Sequence, residues 1–107
     1  MGKDRIKGNL DLLLLAALAR GPKHGYELVA SIREGSDGEF VLAEGTVYPA
    51  LHALESRGLV TSSWQVVSGR RRRVYELQSA GRAARDQQAA EWRRFAIGMN
   101  RVVGDLS

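Results

Sequence analysis

The chain has 107 residues, 44% of them apolar, and a formal net charge of +4, which bounds it to one small domain whose modest core dimerisation would supplement. It holds no cysteine, and its two histidines, His24 and His52, form neither an HxH nor an HxxxH pair, so a disulfide scaffold is excluded and no metal site is expected. An isoelectric point near 10.0 favours an acidic partner, either nucleic acid or an anionic membrane.

Lys3, Arg5 and Lys7 precede the apolar run "LDLLLLAALA", and Ala17-Leu18-Ala19 could pass for a leader cleavage site. Asp11 interrupts that run, and "GPKHGYEL" continues into another amphipathic helix. The run is also shorter than the roughly 20 apolar residues of a membrane span. The expectation is therefore a buried helix of a cytoplasmic protein, about residues 10–20, capped by Asn9 and stopped by Gly21-Pro22.

A second helix is expected over about residues 25–33, with Tyr26, Leu28, Val29 and Ile32 at helical spacing. The polar break "EGSDGE" follows, and then Phe40, Val41 and Leu42, which should pin the loop to the core. The third helix, "GTVYPALHALESRG", is the informative one. Val47, Ala50, Leu51 and Leu54 share one face. The opposite face carries Thr46, Pro49, His52, Ala53 and Ser56, with Tyr48 on the flank. An ordinary solvent face carries Glu and Lys, whereas this small polar one lets a backbone approach a partner closely. Pro49 requires the helix to begin near Gly45 or Thr46, which leaves its positive end free for a phosphate.

Gly58 caps that helix at its C-terminus. "LVTSSWQVV" then alternates Val60, Ser62, Trp64 and Val66 against Thr61, Ser63 and Gln65, a strand period. Ser68-Gly69 makes the turn and Arg72–Leu77 the returning strand. After Ser79, the expected cap, a last helix runs over about residues 80–103 with the stripe Trp92, Phe95, Ala96, Met99, Val102 and Val103. Glu27 and Glu55 read as surface ion-pair residues. No nucleophile lies near either histidine, no glycine-rich phosphate loop follows a strand, and neither an enzyme nor a cofactor is expected.

Four consecutive arginines, Arg70, Arg71, Arg72 and Arg73, taken alone are equally a solvated loop or a basic finger for a polyanion. The element order decides. Three helices, a β-hairpin and a long helix make a mainly α (α+β) fold, a winged helix-turn-helix with a two-stranded wing and an appended C-terminal helix. Residues 1–78 are the expected DNA-binding domain and 79–107 the dimerisation helix. A recognition helix enters the major groove N-terminal residues first, which suits Thr46, Pro49, His52 and Ser56. Arginines on a hairpin beside it are a wing that reaches phosphates or the adjacent minor groove.

"HGYEL" (24–28), "EGTVYPALHALESRGLV" (44–60), Trp64 and "GRRRRVYELQSAGR" (69–82) resemble the PadR family of bacterial transcriptional regulators over nearly the whole chain. The resemblance implies a homodimeric repressor on a pseudo-palindromic operator. It implies that Lys23, His24, Tyr26, Thr46, Tyr48, Pro49, His52, Ser56, the four arginines and Tyr75 contact or position double-stranded DNA. It implies dimerisation through the last helix and the first, with Leu13, Trp92, Phe95, Met99 and Val102. A flat hydrophobic or aromatic effector would bind there, against Trp92. Two positions depart from the family pattern. Ala43 stands where a Ser-like cap is usual, so capping is expected to shift to Thr46. Gln78-Ser79 replaces the usual threonine after the wing, which moves the cap of the last helix to Ser79. The competing reading is a winged-helix module that uses its hairpin on an acidic protein.

Overall fold

The computed structural model describes residues 2–104, with side chains from Gly8 onward, so the basic side chains of Lys3, Arg5 and Lys7 lie outside the described residues. The element order is α1 (Gly2–Leu18), β1 (Lys23–His24), α2 (Gly25–Gly35), α3 (Glu44–Ser56), β2 (Val60–Val67), β3 (Arg70–Leu77) and α4 (Ser79–Val103). The fold is mainly helical with a three-stranded antiparallel sheet of order β1-β3-β2. No helix among the described residues is long and apolar enough to cross a membrane.

α1 lies at the centre because it is apolar on most sides: Leu10, Leu14, Leu15, Ala17 and Leu18 are all buried. It starts well before Asn9, which is an interior residue and not the expected cap. The lysines, arginine and isoleucine that precede Asn9 are acceptable helix residues, and Gly8 alone is too weak a break. Leu28 and Ile32 of α2, Val47, Leu51 and Leu54 of α3, and Val60, Tyr75 and Leu77 of the sheet complete the core. Full burial of each such aliphatic side chain contributes about 1.5–3 kcal/mol. Phe40 and Leu42 pin the α2–α3 loop as expected, but Val41 points to solvent.

His24 opens α2 with a reciprocal cap. Its Nδ1 accepts from the Glu27 N–H at 3.3 Å, and Glu27 Oε1 accepts from the His24 N–H at 3.1 Å. α3 has no such device. Ala43 offers no side-chain acceptor, and its carbonyl takes the N–H groups of Thr46 and Val47 at 3.0 and 3.1 Å. The helix therefore starts at Glu44, Thr46 is already inside it, and the expected shift of the cap to Thr46 does not occur. Pro49 falls in the second turn, where its missing N–H leaves the Gly45 carbonyl without its usual partner.

The wing turns at Ser68 and Gly69, whose φ values of 52° and 76° are those of the two-residue turn that suits strand twist. Pairing therefore begins at once, Val67 opposite Arg70, two residues earlier than the sequence reading placed the second strand. β1 was not expected, since two residues carry no periodicity; it pairs Lys23 with Tyr75 and His24 with Val74. α4 is capped from Gln78, with Ser79 as its first residue, in place of the expected Ser79 cap. The Gln78 N–H donates to the Leu59 carbonyl at 3.0 Å. One turn on, buried Gly81 rests against the same carbonyl, where a Cβ would collide with backbone. Trp92, Phe95, Met99 and Val102 extend beyond this anchorage and are exposed.

Candidate nucleic-acid interface

α3 buries Val47, Leu51 and Leu54 completely, so its other side is necessarily outward. Thr46, Pro49, His52, Ala53 and Ser56 are all exposed there, and Ala50 is half-buried at the edge. Tyr48 leans across the start of α2, its ring lying against Gly25. Tyr26, 60% exposed, projects beside it from the first turn of α2.

The wing rises next to this helix. Antiparallel pairing sets Ser62 opposite Tyr75, Trp64 opposite Arg73 and Val66 opposite Arg71, and the strand period puts these six on one face. Arg70 and Arg72 alternate to the other. The Arg71 and Arg73 guanidiniums lie 4.8 and 5.4 Å from the centre of the Trp64 ring, within cation–π range. Arg73 Nε donates to Ser62 Oγ at 2.9 Å, and Ser62 Oγ donates to Glu55 Oε2 at 2.8 Å in the last turn of α3. Between helix and wing lies a cleft of about 470 Å³ lined by Tyr48, His52, Trp64, Arg71, Arg72, Arg73 and Tyr75. Burial pushes the Tyr75 hydroxyl above its ordinary pKa; Arg73 beside it pulls down, and Glu55 and Tyr48 push further up.

Three residues of the expected DNA-binding set have internal partners. Tyr75 is 1% exposed and belongs to the core. His24, 7% exposed, is the cap of α2. Lys23 Nζ donates to the carbonyls of Ala17 and Gly21 at 3.0 and 3.3 Å, which terminates α1. Lys23 and His24 form β1 and Tyr75 pairs with Lys23, so all three lie at the foot of the wing, beside the core. Glu27 is exposed and lies 3.4 Å from His24 Nε2, as a surface ion-pair residue would, and it also closes the cap. Glu55 is bound to a hydroxyl. Trp64, Ser62 and Glu55 are the parts of this surface that the sequence reading did not assign to it.

A second concavity, a groove of about 620 Å³, runs between α1 and α4. Gly8, Asn9, Leu10, Asp11 and Leu12 line one side, and Gln88, Glu91, Trp92 and Phe95 the other. The Trp92 and Phe95 rings are 5.6 Å apart, tilted by 31°. Leu13, expected at the dimer interface, is half-buried and packs against the core, and Leu12 lines the groove. Asp11 on this wall accepts from Arg57 Nη1 at 3.2 Å, just past the end of α3. Among the described residues no group of three or more His, Cys, Asp or Glu side chains is placed to hold a metal ion.

A helix-turn-helix core with an arginine-bearing wing and a long C-terminal helix defines the class of winged-helix transcriptional regulators. Within that class the sequence matches the transcriptional regulator PadR-like family over residues 14–87, and the chain belongs to that family, which is one of regulators and not of enzymes. It is 52% identical over 52 residues to the transcriptional regulator Rv3488 of Mycobacterium tuberculosis, a match covering 47% of this chain and 49% of that one. Its structure is similar to a transcriptional regulator from Clostridium thermocellum, with a TM-score of 0.83, 31% identity and 92% and 96% of the two chains covered. A PadR family transcription regulator from Clostridium difficile gives a TM-score of 0.79 at 35% identity, covering 90% and 99%. Bacillus subtilis PadR, solved in complex with operator DNA, shares the fold at 20% identity and a TM-score of 0.67, covering 75% of this chain and 46% of that one.

Proposed function

We propose that the chain is a homodimeric repressor that binds a pseudo-palindromic operator with sequence preference. Residues 1–78 form its DNA-binding unit and residues 79–107 its dimerisation segment, which α4 dominates. The observation that carries this reading is the exposed small polar face of α3, Thr46, Pro49, His52 and Ser56, beside a wing with four arginines. Small side chains let the helix enter a groove, and the arginines toward the wing tip, Arg70, Arg71 and Arg72, anchor phosphates. The Bacillus subtilis PadR–operator complex supports this as a use of the same fold.

The exposed stripe Trp92, Phe95, Met99 and Val102 is the face a second copy would cover, since a 25-residue helix gains most of its stability by burying its apolar side. The groove between α1 and α4, with its two aromatic rings, suits a small hydrophobic or aromatic effector whose binding would release DNA.

The test is fluorescence anisotropy on two duplexes over a range of salt. One is the DNA upstream of the protein's own gene, the other a scrambled sequence of equal length. The expected result is a preference for the first of about 10³ or more, with two chains per duplex. Arg71→Ala combined with Arg72→Ala should weaken both complexes and lower the log-salt slope by about one unit per lost phosphate contact. Equal binding to the two duplexes would overturn sequence preference, and an unchanged slope in the double variant would overturn the role of the wing.

A further inference from the structure

The four arginines of the wing do not share one environment. Arg70 and Arg71 are exposed near the tip, whereas Arg73 is half-buried at the foot of the cleft. Its Nε bonds to Ser62, and its guanidinium carbon lies 5.4 Å from the centre of the Trp64 ring on the neighbouring strand. Ser62 is half-buried as well, and its hydroxyl is used in both directions. The oxygen receives Arg73 and the proton goes to Glu55, also half-buried, in the last turn of α3. A hydroxyl committed as donor and acceptor has a fixed orientation, and bonds that end on a charged group are stronger than neutral ones. Three elements meet in this chain: α3 through Glu55, β2 through Ser62 and β3 through Arg73.

We propose that Arg73, acting through Ser62 on Glu55, is a positioning residue that sets the angle between wing and recognition helix, and that it is not itself a phosphate ligand. The inference rests on the DNA-binding reading above. Sequence-specific binding requires the wing to meet phosphates while α3 meets base edges, and both contacts hold only at one angle. Sequence-blind binding needs charge alone and tolerates a loose wing. Loss of the strut therefore reduces discrimination and leaves the electrostatic term intact.

Operator and scrambled duplexes are titrated at several salt concentrations with the full chain. Ser62→Ala removes no charge. It should weaken operator binding about tenfold, the scale of one hydrogen bond to a charged group, and leave scrambled binding and the log-salt slope unchanged. Ser62→Thr keeps the hydroxyl and should behave as the native chain. Arg73→Lys keeps the charge but lacks the forked guanidinium that bonds Ser62 through Nε while lying beside Trp64, so it should resemble Ser62→Ala. Arg71→Ala should lower the slope by about one unit. If Arg73→Lys binds as the native chain does and Arg73→Ala lowers the slope as Arg71→Ala does, Arg73 is a phosphate ligand and the proposal is overturned. Equal losses on both duplexes in Ser62→Ala, or no loss on either, overturn it too. Should Arg73→Ala fail to fold, Ser62→Ala and Arg73→Lys decide the matter. A native chain that does not distinguish the duplexes refutes the DNA-binding reading instead, a separate outcome.

Discussion

The hydroxyl of Tyr48 fills the space that a Cβ on Gly25 would need, 2.6 Å from where that atom would stand. The recognition helix thus rests on the first turn of α2 through a ring laid against bare backbone. Gly25 is required for room and not for an unusual backbone angle. Gly25→Ala should lower the free energy of unfolding by about 1–3 kcal/mol, as overpacking does. The cost should largely disappear when Tyr48→Ala is added, because neighbours that clash are non-additive. Urea denaturation of the two single variants and the double variant measures the coupling. Independent losses would mean that the cost of Gly25→Ala arises elsewhere than at the Tyr48 ring.

His24 belongs to the helix cap, and its substitution should be felt in stability. His24→Ala and Glu27→Ala each remove half of the reciprocal cap and should cost about 1 kcal/mol. His24→Asn keeps a side-chain acceptor and should recover most of that loss. Shifts in the urea midpoint report it. A His24→Ala protein of native stability would sink the capping role and return His24 to the list of contact residues.

Tyr75 ties stability to alkaline pH. Burial, the largest influence on its hydroxyl, raises the folded-state pKa above the ordinary 10.0. A raised pKa means that the folded state holds its proton more tightly than the unfolded chain does. The contribution is fully present below about pH 10, and is lost as pH rises through the folded-state value. Thermal unfolding should show a midpoint that falls with pH above about 10, and Tyr75→Phe should flatten that decline. The same slope in both proteins would locate the alkaline loss in other groups.

The α3 core face and the wing were legible in the sequence for a physical reason. Val47, Leu51 and Leu54 keep the helical period, Val60, Ser62 and Trp64 keep the strand period, and each period follows directly from backbone geometry. The register of the wing was also within reach: counting back from Ser68-Gly69 pairs Trp64 with Arg73. The helix starts were not, because Asn9, Thr46 and Ser79 are all good caps by type, and main-chain bonding elsewhere made each of them an interior or first residue. Tyr75 was expected at the DNA from the family resemblance, and in the fold it is 1% exposed. It shares a face with Arg71 and Arg73 but stands at the foot of the wing, where the core covers it. Glu55 and Ser62 are seven residues apart, across a helix end and a glycine turn, and only the tertiary packing joins them.

Gly81 fixes the root of α4 against the Leu59 carbonyl, and the consequence is mechanical. A 25-residue helix is a rod about 37 Å long. At that length a tilt of roughly 5° at the root moves the free end by about 3 Å, simply from the helix dimensions. The close approach of Gly81 to the Leu59 carbonyl therefore helps to set where Met99 and Val102 stand in space. In a dimer joined along these rods, the separation of the two recognition helices would inherit the same amplification. A change too small to disturb the core could shift the stride with which the pair meets successive grooves.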